Sequence, residues 1–143
     1  VDIARIAEFA NNHWQLFAAL GVIVALLVGT EIRRTLSGVK QVGPVEATRL
    51  INHANAIVID VREDNEYRAG HIVNALHVPT SQMGTANGRL EKYKDRPMIL
   101  YCRSGQNSAR LGSRLRRHGF GAVYNLKGGM LAWQNANLPT SKK

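Results

Sequence analysis

The sequence predicts an α/β domain built on a parallel sheet and preceded by one membrane-spanning helix. Two observations carry the prediction. From Trp14 to Thr30 the chain reads WQLFAALGVIVALLVGT, seventeen residues without a formal charge, and beyond residue 41 short β-branched runs alternate with segments of helical period. At 143 residues there is room for one domain of ordinary size and a short extra segment.

The apolar run amounts to roughly 26 Å of helix at 1.5 Å per residue, just enough to cross a bilayer. Trp14 suits one interface, and Arg33, Arg34 and Lys40 follow the run, opposed by Glu31 alone. Asp2, Arg5 and Glu8 before it sum to a negative charge. The positive-inside bias therefore predicts an outer N-terminal side and a cytoplasmic C-terminal domain. A cleaved signal peptide would carry its basic residues before the apolar run and a small-residue cleavage site after it, the reverse of this pattern. The organisation read from the sequence is a short N-terminal segment over 1–12, a transmembrane helix over 13–34, a linker over 35–41 punctuated by Gly38, a domain over 42–140 and a basic tail over 141–143.

Within the domain, Ala47, Leu50, Ile51 and Ala54 recur at the spacing of an amphipathic helix. AIVIDV, residues 56–61, is a strand buried on both faces. REDNEYR, residues 62–68, predicts one or two helical turns closed by Gly70, and residues 75–78 a brief strand ended by Pro79. Gly84, Gly88 and Pro97 predict a loop over 80–97 with a helical turn or two around Leu90 to Tyr93. MILY, residues 98–101, is a third strand. In the helix that follows, Ala109, Leu111, Gly112 and Leu115 can face a sheet while Arg110, Arg114 and Arg117 form a solvated stripe. AVYNL, residues 122–126, is a fourth strand, and Gly128 and Gly129 turn the chain into a last helix holding Met130, Leu131 and Trp133.

Composition limits the chemistry. One cysteine permits no internal disulfide and is compatible with a reducing compartment. The five histidines and one thiol lack the spacing of a zinc site, so no metal is expected. The net charge of +9 would suit a polyanion. No nucleic-acid motif accompanies it, and an anionic membrane surface attracts Lys and Arg by the same physics.

Cys102 lies where a buried strand gives way to a loop and then a helix, the place where α/β sheets bind ligands. Loop amides can form an anion-binding nest there, and a helix N-terminus adds partial positive charge. Both favour thiolate over thiol, and Arg103 adds a cation nearby. A free cysteine in a core is otherwise an inert small hydrophobe.

The segment Cys102-Arg103-Ser104-Gly105-Gln106-Asn107-Ser108 resembles the active-site loop of the rhodanese family, Cys-Arg-x-Gly-x-Arg/Thr-Ser. Asp60, Val61, Arg62, Glu66, Tyr67, Gly70, His71, Ile72, Ala75 and Pro79 resemble a second family segment. Leu126, Gly128, Gly129 and Trp133 resemble its closing one. With the N-terminal span, the chain is similar to single-pass, membrane-anchored rhodanese-like proteins of Gram-negative bacteria, which implies the inner membrane. The resemblance implies a three-layer α/β fold with a five-stranded parallel sheet, the extra strand falling near Gln41 and Val42. It also implies a sulfurtransferase in which Cys102 is the nucleophile and holds sulfur as a persulfide. Residues 103–108 (Arg103, Ser104, Gly105, Gln106, Asn107 and Ser108) would bind the donor, with hydroxyls from Ser108 and Ser104. The implied partners are a sulfur donor, thiosulfate or a protein persulfide, a thiol acceptor, the membrane and a membrane-protein neighbour. No cofactor, metal or nucleic acid is implied.

Asn107 stands where many members have Arg, which removes a charge for an anionic donor, and Asn74 and His77 replace a common Gly and Asn. Asp60 and Arg62 are supporting residues, either orienting the loop through a contact to Arg103 or capping the turn after the strand. His71 belongs to a structural turn in the family, and Trp133 reads as core. Two other functions compete: a tethered interaction module with an idle Cys102, and a phosphatase, which would need Arg where Ser108 stands.

Overall fold

The computed structural model describes residues 2–142, without the side chains of Arg34, Thr85, Ala86 and Asn87. Val1 and Lys143, the ends of the predicted N-terminal segment and basic tail, lie outside the described residues. The chain divides into two compact units, Val1–Leu36 and Ser37–Lys143.

The described part of the first unit is two helices joined at His13. Helix α1 (Ile3–Asn12) occupies the stretch expected to be only a short segment, and α2 (Trp14–Leu36) contains the apolar run. Residues Trp14–Arg33 have a mean hydropathy of 2.0 and none of the most apolar stretch is buried, so this helix is long and apolar enough to cross a membrane. The helix runs past the predicted span, taking in Thr35 and Leu36 from the expected linker.

The second unit opens with β1 (Lys40–Val42), followed by α3 (Pro44–His53), β2 (Ile57–Asp60), α4 (Asp64–Ala69), β3 (His71–Ile72) and β4 (Leu76–His77). After α5 (Met83–Leu90) come β5 (Met98–Tyr101), α6 (Gln106–Arg117), β6 (Val123–Leu126), α7 (Gly129–Asn135) and β7 (Thr140–Ser141). Five strands form a parallel sheet in the order β1-β6-β5-β2-β4, and β3 pairs with β7 as a separate antiparallel ribbon. The fifth strand expected near Gln41 is β1, in register with β6 through Gln41 and Asn125.

The central strands β2 and β5 are buried on both faces, which is why they read as near-continuous apolar runs. Alternate residues serve opposite layers. Ile57, Ile59, Met98 and Leu100 pack with Met83, Leu90, Leu111 and Leu115 beneath α5 and α6. Val58, Ile99, Tyr101 and Leu126 pack with Ala47, Met130 and Trp133 beneath α3 and α7. Trp133 is core, as its sequence setting predicts, and its indole donates to Pro139 O at 3.0 Å.

Residues 80–97 hold more helix than expected. A 3₁₀ turn over Thr80–Gln82 leads into α5, and a second over Glu91–Tyr93 follows it. Glycine costs about 1 kcal/mol in a helix interior, but burying Met83 and Leu90 at the two ends of α5 outweighs Gly84 and Gly88. Asn74 sits at φ +63°, a left-handed conformation that Asn tolerates.

Candidate active site

β2 and β5 are parallel neighbours, so their carboxyl ends open side by side. Val61, Arg62 and Glu63 after β2 and Cys102, Arg103 and Ser104 after β5, with Glu66, Thr80 and Asn107, line an open cleft of about 290 Å³. Cys102 is 6% exposed, sitting at the base rather than on the surface.

The sulfur is met by donors. Gly105 N–H lies 3.1 Å from Cys102 Sγ, and Ser108 Oγ, itself fully buried on the first turn of α6, lies at 3.3 Å. Burial pushes the Cys102 thiol up, but the Ser108 hydroxyl and the amides of Ser108, Gly105 and Ser104 outweigh it, so the pKa falls below the ordinary thiol value. Ser104 contributes its amide here rather than the expected hydroxyl.

Two glycines shape this cradle. Gly105 takes φ +92°, and a side chain on it would sit 2.9 Å from Leu126 O. Gly129, at φ +57°, packs so closely that a Cβ would lie 2.3 Å from Cys102 O. That approach lets Met130 N–H and Leu131 N–H, in the first turn of α7, reach Cys102 O at 2.9 Å and Arg103 O at 3.3 Å. The loop is gripped from behind by a later helix.

Sequence reading misses Asn125 and Gln41. Asn125, buried in β6, accepts from Ser108 Oγ at 2.5 Å, while its Nδ2 donates to Gly105 O at 2.9 Å and Gln41 Oε1 at 2.8 Å. The two Nδ2 bonds fix the amide orientation. A hydroxyl carries one proton, so Ser108 donates either to Asn125 Oδ1 or to the sulfur. A Cys102 thiol can itself donate to Ser108 Oγ; a thiolate turns the Ser108 proton toward itself. The available signal was a lone polar residue inside the apolar run AVYNL.

Asp60 does not reach Arg103. Its carboxylate is occupied by Arg62, through Nε at 3.0 Å and Nη2 at 2.7 Å, and by Tyr101 OH at 2.5 Å. It also accepts from Arg62 N–H at 2.9 Å, the turn-capping alternative. Arg62 Nη2 continues to Gly70 O, and Tyr101 OH accepts from Ile72 N–H. Burial opposes the Arg62 charge, yet Asp60 and Tyr101 more than offset it and raise its pKa; burial and Asp60 raise that of Tyr101. The pair thus braces the floor beside Cys102. His71 is likewise structural, stacked on Tyr67 at 3.9 Å with Nδ1 against Tyr67 O. Gln106 opens α6 with an exposed side chain and does not line the cleft. No metal-binding cluster occurs among the described residues.

A thiol met by donors at the carboxyl end of a central parallel strand is an arrangement that can hold an anionic sulfur. The chain belongs to the rhodanese-like domain family, whose model matches residues 43–136. It is 38% identical over 137 residues to the uncharacterised protein YibN of Escherichia coli (strain K12), covering 94% of this chain and 95% of that one. It is 34% identical over 102 residues to the thiosulfate sulfurtransferase GlpE of Coxiella burnetii (strain RSA 331 / Henzerling II), covering 71% of this chain and 92% of the relative. A crystal structure of a rhodanese-related protein from Thermoplasma volcanium shares the fold, with a TM-score of 0.62, 23% identity and coverage of 73% of this chain and 99% of that one. Of these relatives, GlpE bears the name of a thiosulfate sulfurtransferase.

Proposed function

We propose that this protein is a membrane-anchored sulfurtransferase that carries sulfane sulfur as a persulfide on Cys102 and delivers it to a thiol acceptor. The observation that carries the reading is the Cys102 sulfur, depressed in pKa and met by Gly105 N–H and Ser108 Oγ at the base of an open cleft. The thiolate attacks the outer sulfur of the donor. A new S–S bond forms, the donor's own bond to that sulfur breaks, and the leaving group departs with the electron pair. The anionic terminal sulfur left on Cys102 needs donors in turn, which the loop amides can supply. An acceptor thiolate then takes that sulfur and returns Cys102 to thiolate.

The rim charges favour some donors over others. Glu63 and Glu66 face the cleft, the Arg62 charge is tied to Asp60, and Asn107 replaces the arginine common in relatives, leaving Arg103 as the cation at the rim without a described ion pair. This balance disfavours dianionic thiosulfate and suits a protein persulfide, or a small one carrying an ammonium group. Residues 13–34 would anchor the domain, residues 42–140, to the cytoplasmic face of the inner membrane, consistent with Arg33 and Lys40 after the apolar run.

The test uses the full chain in lipid nanodiscs with thiosulfate, cysteine persulfide and a persulfidated protein as donors and cyanide as acceptor. Thiocyanate should form, mass spectrometry should find one added sulfur on Cys102, and Cys102→Ser should abolish both. Absence of product and adduct with all three donors would refute the proposal.

A further inference from the structure

The function above leaves α1 unused. Its sequence, IARIAEFANN, places Ile3, Ile6, Ala7, Phe9 and Ala10 within an arc of roughly 160° when residues are spaced at 100°, while Arg5, Glu8, Asn11 and Asn12 occupy the other side. None of its residues is buried, and the large members of the apolar face are open: Ile3 is 82% exposed, Ile6 53% and Phe9 55%. A ten-residue helix is marginal alone in water, so this face requires a covering surface.

The junction with α2 says what that surface is. Only His13 separates the helices, at φ −125° and ψ 32°, outside helical values. Hydrogen bonds from His13 N–H to Phe9 O at 3.0 Å and from Leu16 N–H to His13 O at 2.9 Å hold the joint. In a straight helix residues 9 and 17 would be about 12 Å apart along the axis, yet the Phe9 and Phe17 rings meet edge to face with centroids 6.5 Å apart. The bend therefore closes on the apolar face of α1 and on the wall of the apolar helix. The inside of such an elbow, with one arm crossing a bilayer, is filled by lipid.

We propose that α1 is an interfacial helix lying on the bilayer surface at the N-terminal end of the span, with Ile3, Ile6 and Phe9 seated in the headgroup–acyl boundary. This rests on the anchoring reading of α2. Asp2 and Glu8 against Arg5 leave the helix without excess positive charge, so apolar burial holds it and zwitterionic lipid suffices. Trp14, 65% exposed at the elbow, sits where an interfacial indole belongs.

Cys102 is the sole cysteine, so the full chain carrying Cys102→Ser accepts single spin labels. Labels at Arg5→Cys, Ile6→Cys, Glu8→Cys, Phe9→Cys and, within α2, Val24→Cys are compared in phosphatidylcholine vesicles for collisions with oxygen and with a water-soluble nickel chelate. Positions 6 and 9 should be several-fold more protected from nickel than 5 and 8, at every protein-to-lipid ratio. Equal nickel access at all four, with Val24 protected, would overturn the inference and leave the span standing. Protection at 6 and 9 that disappears on dilution in lipid would assign the face to a second copy instead. Nickel access at Val24 would overturn the anchor and this inference together.

Discussion

Replacing Ser108 with alanine removes the hydroxyl that lies 3.3 Å from Cys102 Sγ, the largest of the influences holding the thiol pKa down. A hydrogen bond to a charged group contributes about 1.5–3 kcal/mol. Because the same proton must leave Asn125 Oδ1 to reach the sulfur, the net contribution is smaller, and at 1.36 kcal/mol per pKa unit its loss should raise the Cys102 pKa by at most about two units. The amides of Ser104, Gly105 and Ser108 remain, so the thiol stays reactive at high pH. The variant also leaves Asn125 Oδ1 without the Ser108 donor inside the core, which should lower stability by about 1–3 kcal/mol. Because the chain has a single cysteine, the pH dependence of iodoacetamide alkylation reads this site alone. A midpoint unmoved or lowered in a variant that still unfolds cooperatively would show that the backbone amides hold the thiolate unaided.

Asn107→Arg should restore a cation at the rim and raise kcat/KM for thiosulfate on the order of tenfold at low salt, an effect that fades as ionic strength rises; an unchanged thiosulfate rate would refute the charge argument. Gly129→Ala, forced into a left-handed conformation against Cys102 O, should cost at least about 2 kcal/mol in denaturant unfolding and slow alkylation of Cys102. Asp60→Ala strands the buried Arg62 guanidinium and should destabilise the domain by about 3–5 kcal/mol, measured by urea unfolding. Finally, the folded thiol titrates below its unfolded counterpart. Relative to Cys102→Ser, the wild type should therefore gain stability as pH rises, in full above the unfolded thiol pKa of ~8.5, and lose the gain as pH falls through the folded value. A pH-independent difference would argue against a stabilised thiolate.

The strands that carry the site were legible because burial on both faces writes a contiguous apolar run: MILY is β5 to the residue. β1 was not, since Lys40 and Gln41 are exposed and only register with β6 makes three residues a strand; the family resemblance supplied it. β3 and β7 are two residues each, too short for any period. α1 is hard to read because its apolar positions are spread among charges in a short stretch. At the site, Cys102 and Ser108 lie six residues apart in one contiguous segment and could be read together. Asn125 lies 17 residues from Ser108 and 84 from Gln41, and those bonds exist only because parallel pairing brings β1 and β6 alongside the loop.

The grip of α7 on the carbonyls of Cys102 and Arg103 bears on the order in which the protein is made. Synthesis proceeds from the N-terminus, so Cys102 leaves the ribosome well before Met130 and Leu131, whose amides fasten its loop. Throughout that interval the nascent chain carries an unfastened thiol. The loop's final backbone geometry is therefore fastened late in translation, once the first turn of α7 has been made.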